Sequence, residues 1–227
     1  MTSVTDISVQ SRPSIVQQFL TIPPAVLLGL LWLALMVATA IFADWIRPYD
    51  ITQMDLMARL SPPLTPGHWL GTDELGRDVL SRLIQSIRAS LVIAFGATLI
   101  SATFGTTLGF LAAQFRGPIE HFVVMLADFQ AALPFLIMSL AVLAFFGSSM
   151  ILLVCLMGFY GWERYARIAR GLAISAGAQG YAAAVVQLGA TPRRVYIKHI
   201  LPNVASTLIV SMTLTFPEII LMESGLS

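Results

Sequence analysis

SLVIAFGATLISATFGTTLGFLAAQF, residues 90–115, carries no charged side chain from end to end. As an α-helix rising 1.5 Å per residue it would be about 39 Å long, enough to cross a hydrocarbon layer of about 30 Å. No water reaches backbone groups in such a layer, so the run must satisfy them internally and fold as a helix. Ser101, Gly105 and Gly109 recur along it at four-residue spacing and share one face. Small residues in that register admit a second helix at close range, which is how helices associate where lipid supplies no hydrophobic drive.

Four further apolar runs flank it. The first, Ala25 to Ala43, ends at Asp44-Trp45-Ile46-Arg47, an aromatic and charged boundary of interfacial type. The third, Phe122 to Phe146, contains Asp128 and Pro134, and the fourth, Met150 to Tyr165, follows a Gly147-Ser148-Ser149 turn. The fifth begins near Leu201-Pro202 and continues through Pro217 to Leu221. Each proline should start or kink a helix. The whole chain is 57% apolar and 11% charged over 227 residues, too little polar surface to cover a water-soluble core. The expectation is an all-α integral membrane protein of about five transmembrane helices in a lipid bilayer.

A formal net charge of +1 gives no field that would recruit nucleic acid, so only the placement of charges is informative. The single cysteine, Cys155, excludes an intrachain disulfide and supplies no zinc site by itself. No cofactor is implied. The opening stretch, Met1 to Ile22, carries Asp6 and Arg12 and has no basic segment directly before a short apolar core. It does not read as a cleaved signal peptide, and the first run is expected to remain as a helix.

Arg164, Arg167 and Arg170 follow the fourth run, and Arg193, Arg194 and Lys198 precede the fifth, with Glu163 the only acid nearby. The excess of basic residues predicts that this loop is cytoplasmic. Counting spans outward places the N-terminus inside and the Arg47 to Arg88 loop outside. Within that outer loop, Val79, Leu80, Leu83 and Ile84 recur at helical intervals among Arg77, Arg82 and Arg88. The pattern predicts an amphipathic interfacial helix over Asp78 to Arg88.

Between Arg170 and Arg193 there is no charged residue. Three readings are open: a further membrane span, a loop helix packed on its own bundle, or a docking helix whose apolar face, Tyr181 to Leu188, enters a groove of a separate protein. A further span would put the two basic clusters on opposite sides of the membrane. Gly189 can take the left-handed conformation that closes a helix, Thr191 is a good N-cap, and Pro192 suits the first helical position. Two short helices meeting at a sharp corner are therefore expected.

Tyr181-Ala182-Ala183-Ala184-Val185-Val186-Gln187-Leu188-Gly189-Ala190-Thr191-Pro192, followed by His199-Ile200-Leu201-Pro202-Asn203, resembles the EAA loop of ABC importer permeases. Leu70-Gly71-Thr72-Asp73-Glu74-Leu75-Gly76-Arg77-Asp78-Val79-Leu80-Ser81-Arg82, Gly161-Trp162 with Tyr165-Ala166-Arg167, and Glu223-Ser224-Gly225-Leu226-Ser227 agree. Together they resemble the second permease of the dipeptide, oligopeptide and nickel branch. The resemblance implies a type I importer permease fold, a multi-pass place in a bacterial inner membrane, a second permease subunit, two ATP-binding subunits and a periplasmic solute-binding protein.

On that resemblance residues 1–24 are a cytoplasmic segment and residues 25–43 the first span. Residues 44–89 are a periplasmic loop with the interfacial helix, and residues 90–227 the permease core, with an ATPase-coupling loop at 171–199. Its coupling residues would be Tyr181, Ala183, Ala184, Leu188, Gly189, Ala190, Thr191, Pro192 and Arg193. Ala183 stands where the acid that names the loop is expected, and Val185 stands at the second alanine position. The resemblance also implies a further span after Ser227.

The chain lacks the Gly-x-x-x-x-Gly-Lys-Ser/Thr pattern that cradles phosphates, and its one lysine, Lys198, lies between Ile197 and His199. ATP hydrolysis is expected on a partner and not here. Asp128, Glu218 and Glu223 are carboxylates in or at the ends of spans, functional candidates because their desolvation is costly. Asp128 either faces the pathway or pairs with Arg116 or Arg167; Glu218, next to Pro217, either lines the pathway or satisfies the kink; Glu223 is expected at the outer boundary. The resemblance implies short peptides as solute, with nickel or a metal chelate as the alternative. A proton-coupled carrier using the three carboxylates is the rival from another class. His68, His121 and His199 are scattered and assemble no catalytic group with cysteine or serine.

Overall fold

The computed structural model describes residues 23–179, 185 and 187–226. The regular elements among the described residues are all helices, and the chain divides between Gln85 and Ser86 into two compact units.

The first unit opens with α1, Pro24–Ile41, whose side chains are almost all exposed, as befits a helix solvated by lipid. A short α2, Ala43–Ile46, follows, and the rings of Phe42 and Trp45 lie 5.7 Å apart at this end. The loop beyond it is cross-tied by polar side chains. Asp73 accepts from the Leu75 and Arg77 amides at 2.8 and 2.9 Å, from Arg77 Nε at 2.9 Å and from Arg82 Nη1 at 2.6 Å. Burial alone would raise its carboxyl, yet the Arg77 and Leu75 amides and the Arg77 guanidinium hold it well below the usual carboxylate range.

Asp78 lies 3.0 Å from His68 Nδ1 and accepts from the Ser81 amide and hydroxyl at 2.8 Å each. It thereby caps the helix that follows. Burial opposes ionisation here too, and the bonds from His68 and Ser81 outweigh it, lowering the carboxyl. Two glycines have no substitute: a Cβ on Gly76, at φ +72°, would strike the Asp55 carbonyl oxygen, and one on Gly71, at φ +77°, that of Ser61.

The helix so capped, α3, runs unbroken over Val79–Gln114 for 36 residues. Asp78 to Arg88 is thus not a separate interfacial helix: its residues from Val79 onward form the opening turns of α3. No proline interrupts the sequence until Gly117-Pro118, so nothing stops the helix at Ser90.

In the second unit α4, Pro118–Ala132, and α5, Phe135–Phe146, meet at 85° across Leu133-Pro134. Pro134 pushes Leu133 into the extended region, φ −85° and ψ 130°, which ends α4. Next, α6, Met150–Tyr160, is capped by Ser149, which accepts from Leu152 N at 3.2 Å. It stops at Gly161, and α7, Trp162–Gly177, begins at once. Four residues of α8, Pro192–Val195, lead through a π-turn, Tyr196–Ile200, into α9, Leu201–Leu226. The π-turn has a local cause. Pro202 has no N–H for the Lys198 carbonyl, and the Leu201 amide reaches back five residues to Tyr196 O.

Of the five apolar runs, three lie in single helices long and apolar enough to cross a membrane: α1, α3 and the stretch Pro192–Leu226. The third run is the bent pair α4–α5, which raises the number to four if it counts as one span. The fourth run, expected to reach Tyr165, is broken at Gly161, and α6 alone has 11 residues, about 17 Å of helix.

The small-residue stripe of α3 is where the second unit packs most closely. Ser101 Oγ donates to Gly158 O at 2.6 Å. A Cβ on Gly105 would meet Tyr165 Cβ at 2.7 Å, and one on Gly109 would meet Ala169 Cβ at 2.9 Å. The helix that the stripe admits is α7, with the end of α6.

Candidate functional site: the corner between α7 and α9

α7 buries Ala166, Ala169, Ala173 and Ala176 on one side and carries Arg164, Arg167 and Arg170 on another. Ala169, Ala173 and Ala176 share one cluster with Val195, Ile200, Val204 and Leu208 of the returning arm and Ala113 of α3, with Val185, Ala190 and Tyr196 partly buried against it. The rings of Phe110 and Tyr196 lie 5.3 Å apart. The two arms of the 171–199 loop are therefore one packed body.

Tyr181, Ala183 and Ala184 of the expected coupling residues lie outside the described residues. The rest form the corner. Gly189 has φ +81°, and the Ala190 amide donates to Val185 O at 3.3 Å. A left-handed glycine with a bond from the next amide back five residues is a Schellman closure. A Cβ at Gly189 would meet nothing within 4 Å, so the glycine is required by its backbone conformation and not by crowding.

Thr191 stands at the N-cap of α8 with Pro192 at the first helical position, but its hydroxyl makes no capping bond. Leu188 is 87% exposed, and Gln187, Gly189, Thr191, Pro192, Arg193 and Arg194 are exposed beside it. Val185 faces inward while the corner faces out. Among the described residues, the loop is packed on its own bundle along one side and exposed along the other.

The three carboxylates do not converge. Asp128 Oδ1 lies 3.5 Å from Arg167 Nη2, one of the two partners expected for it, and the same guanidinium donates to Ala127 O at 3.1 Å. Glu218 pairs with Arg164 at 2.7 Å. Glu223 accepts from Ser90 Oγ at 2.8 Å. Beside the Arg164–Glu218 pair, Tyr160, Glu163 and Thr215 line a cavity of about 90 Å³.

Glu120 was not singled out from sequence, yet it takes Arg170 Nε at 2.9 Å together with Arg170 Nη2. Arg164, Arg167 and Arg170 thus bind α7 to α9 through the first and to α4 through the other two. Their three-residue spacing was the available signal, since it puts all three on one side of a helix.

Residues 105–227 match the family described as binding-protein-dependent transport system inner membrane component. Residues 23–63 match the N-terminal TM domain of oligopeptide transport permease C. The chain is similar to the oligopeptide transport system permease protein OppC of Bacillus subtilis, 32% identical over 88% of this chain and 66% of the relative. It is similar to the glutathione transport system permease protein GsiD of Pectobacterium atrosepticum, 31% over 93% of this chain and 70% of the relative. The nickel transport system permease protein NikC of Escherichia coli K12 is 32% identical over 92% of this chain and 75% of that protein. The chain thus spans about two thirds of the length of the first two relatives.

Proposed function

The chain belongs to the binding-protein-dependent transport inner membrane components, and from that premise we propose that it is the membrane-spanning subunit of an ATP-driven importer of short peptides. Its fold is the all-α permease fold of type I importers. Separate ATP-binding subunits would push the corner at Gly189 from the cytoplasm, a second permease would complete the pathway, and a solute-binding protein would deliver solute on the other side. The N-terminus and the basic clusters around the corner would lie in the cytoplasm.

The observation that carries this reading is the corner itself: an exposed knob, Leu188 to Arg194, closed by a left-handed glycine and mounted on two arms that share one core. Force applied there moves α7 and α9 together as a rigid body, the kind of step alternating access needs. The arginine pairs would carry the same motion to α4. We assign Asp128 a structural role in that linkage, and place Glu218, with Arg164 and the small polar cavity, toward the pathway. Engagement of Asp128 and Glu218 by arginine and of Glu223 by a hydroxyl weighs against a proton-coupled carrier.

The test is reconstitution with the partner subunits in proteoliposomes. Gly189→Val should abolish solute-stimulated ATP hydrolysis and peptide uptake while leaving insertion intact, and Gly189→Asn, which tolerates the left-handed region, should retain most of both. Unchanged coupling in Gly189→Val would sink the assignment. The equal identity to the nickel relative keeps a nickel chelate as second reading; competition of labelled peptide uptake by nickel decides between them.

A further inference from the structure

The loop of the first unit turns several polar side chains inward and leaves its large apolar side chains outward. Thr72, Asp78 and Ser81 are buried, whereas Leu56, Met57, Leu60, Leu64 and Trp69 are exposed, Met57 to 96%. A loop solvated by water does the reverse. Five large apolar side chains exposed between residues 56 and 69, outside the spanning helices, call for an apolar partner.

Backbone strain supports the same conclusion. Leu60 and Leu64 hold φ of +53° and +68°, the left-handed region that costs a residue with a Cβ roughly 1–2 kcal/mol. Both are pinned there by the chain: Leu60 N donates to Asp73 O at 3.2 Å and Leu64 N to Trp69 O at 3.0 Å. Glycine or asparagine would relieve the strain. Leucine at both positions, pointing outward, is strain kept in the service of an exposed apolar side chain.

We propose that Leu56, Met57, Leu60, Leu64 and Trp69 seat in the interfacial layer of the bilayer leaflet on the loop's own side, with the Arg59 guanidinium on lipid phosphate. Three observations favour lipid over a protein. The loop joins two membrane helices directly and folds back on the second, since Tyr49 N donates to Ser81 Oγ at 3.1 Å. It therefore stays at the membrane surface. Trp45, 85% exposed at the end of the α1–α2 segment, already marks the interfacial level, where tryptophan is favoured. Arg59, exposed among the apolar side chains, makes no ion pair among the described residues, and a guanidinium suits phosphate. The proposal is independent of the importer reading.

The experiment is spin labelling of the full chain in nanodiscs of phosphatidylethanolamine and phosphatidylglycerol, with the label at Met57→Cys and a reference label at Asp50→Cys, both in a Cys155→Ser background. Collision with oxygen, which partitions into lipid, is compared with collision with a water-soluble nickel chelate. The expected result is an oxygen-to-nickel ratio severalfold higher at position 57 than at position 50. Equal ratios would place the surface in water, and protection from both reagents would place a protein over it; either overturns the proposal. Adding Leu60→Asn and Leu64→Asn, which suit the left-handed backbone, should shift the label at 57 toward the nickel reagent while limited proteolysis reports an intact loop. A ratio unmoved by the pair would also overturn it.

Discussion

The loop of residues 47–78 and the segment of residues 171–199 each lead into a helix long and apolar enough to cross a membrane, and they are held by opposite means. In the first, carboxylates do the holding: Asp73 and Asp78 gather amides, guanidiniums, a hydroxyl and an imidazole. In the second, among the described residues, alanines at close range and one left-handed glycine do it, with the arginine ion pairs lying on α7 just before the segment. The first arrangement should fail when charge is removed and the second when volume is added.

The largest effect should come from volume. Gly109→Val puts new atoms against the Ala166 carbonyl and Ala169 Cβ, and is expected to cost about 3 kcal/mol or more, read as loss of the thermal transition in detergent. If Gly109→Val leaves the transition in place, the close-packing half of the contrast is broken. Next is Asp78→Ala, which strands His68 and two Ser81 donors in a buried place and should cost about 3 kcal/mol of loop stability, seen by limited proteolysis between residues 47 and 78. Asp78→Asn, which keeps acceptor capacity, should lose less.

Acid should separate the regions without mutation. A carboxyl whose folded pKa is depressed contributes stability that is present above its unfolded value and lost as pH falls through the folded one. Asp73 and Asp78 are both depressed, so the loop should loosen below about pH 4, the ordinary carboxylate value. Single-tryptophan variants retaining Trp69 in the loop or buried Trp162 in the bundle make the comparison: emission of the first should shift in that range before the second. A simultaneous shift would show that the two regions unfold as one. The smallest effect belongs to Arg167→Gln, since its pair with Asp128 is 3.5 Å long with both side chains half or more exposed; a change under about 0.5 kcal/mol is expected.

The sequence made close packing readable and long-range pairing unreadable. Ser101, Gly105 and Gly109 declared their face by four-residue spacing, and the structure puts α7 against it. The corner at Gly189 was equally plain, because a glycine followed by Thr-Pro is local chemistry. The membership of Glu120 in an ion pair fifty residues away has no local trace, since its partner is chosen by how α4 and α7 meet. Pro134 announced a break but not its 85°. The continuity of α3 was hidden by a change in composition at Ser90, where polarity drops while the helix goes on.

The π-turn at Tyr196–Ile200 leaves a mark on the hydrophobic pattern. The first buried positions along α8 and α9 fall at Val195, Ile200, Val204 and Leu208, so an interval of five precedes two of four. In helical phase that is a slip of one residue, about 100° of rotation. Every side chain from Leu201 onward therefore faces a direction that a continuous wheel drawn from Pro192 would assign to its neighbour. Deleting one residue inside the turn would restore an unbroken α-helical count and leave Ile200, Val204 and Leu208 on the buried face. A one-residue deletion there should consequently be tolerated far better than the same deletion a few residues after Leu201, which would keep the turn and rotate the downstream face by about 100°.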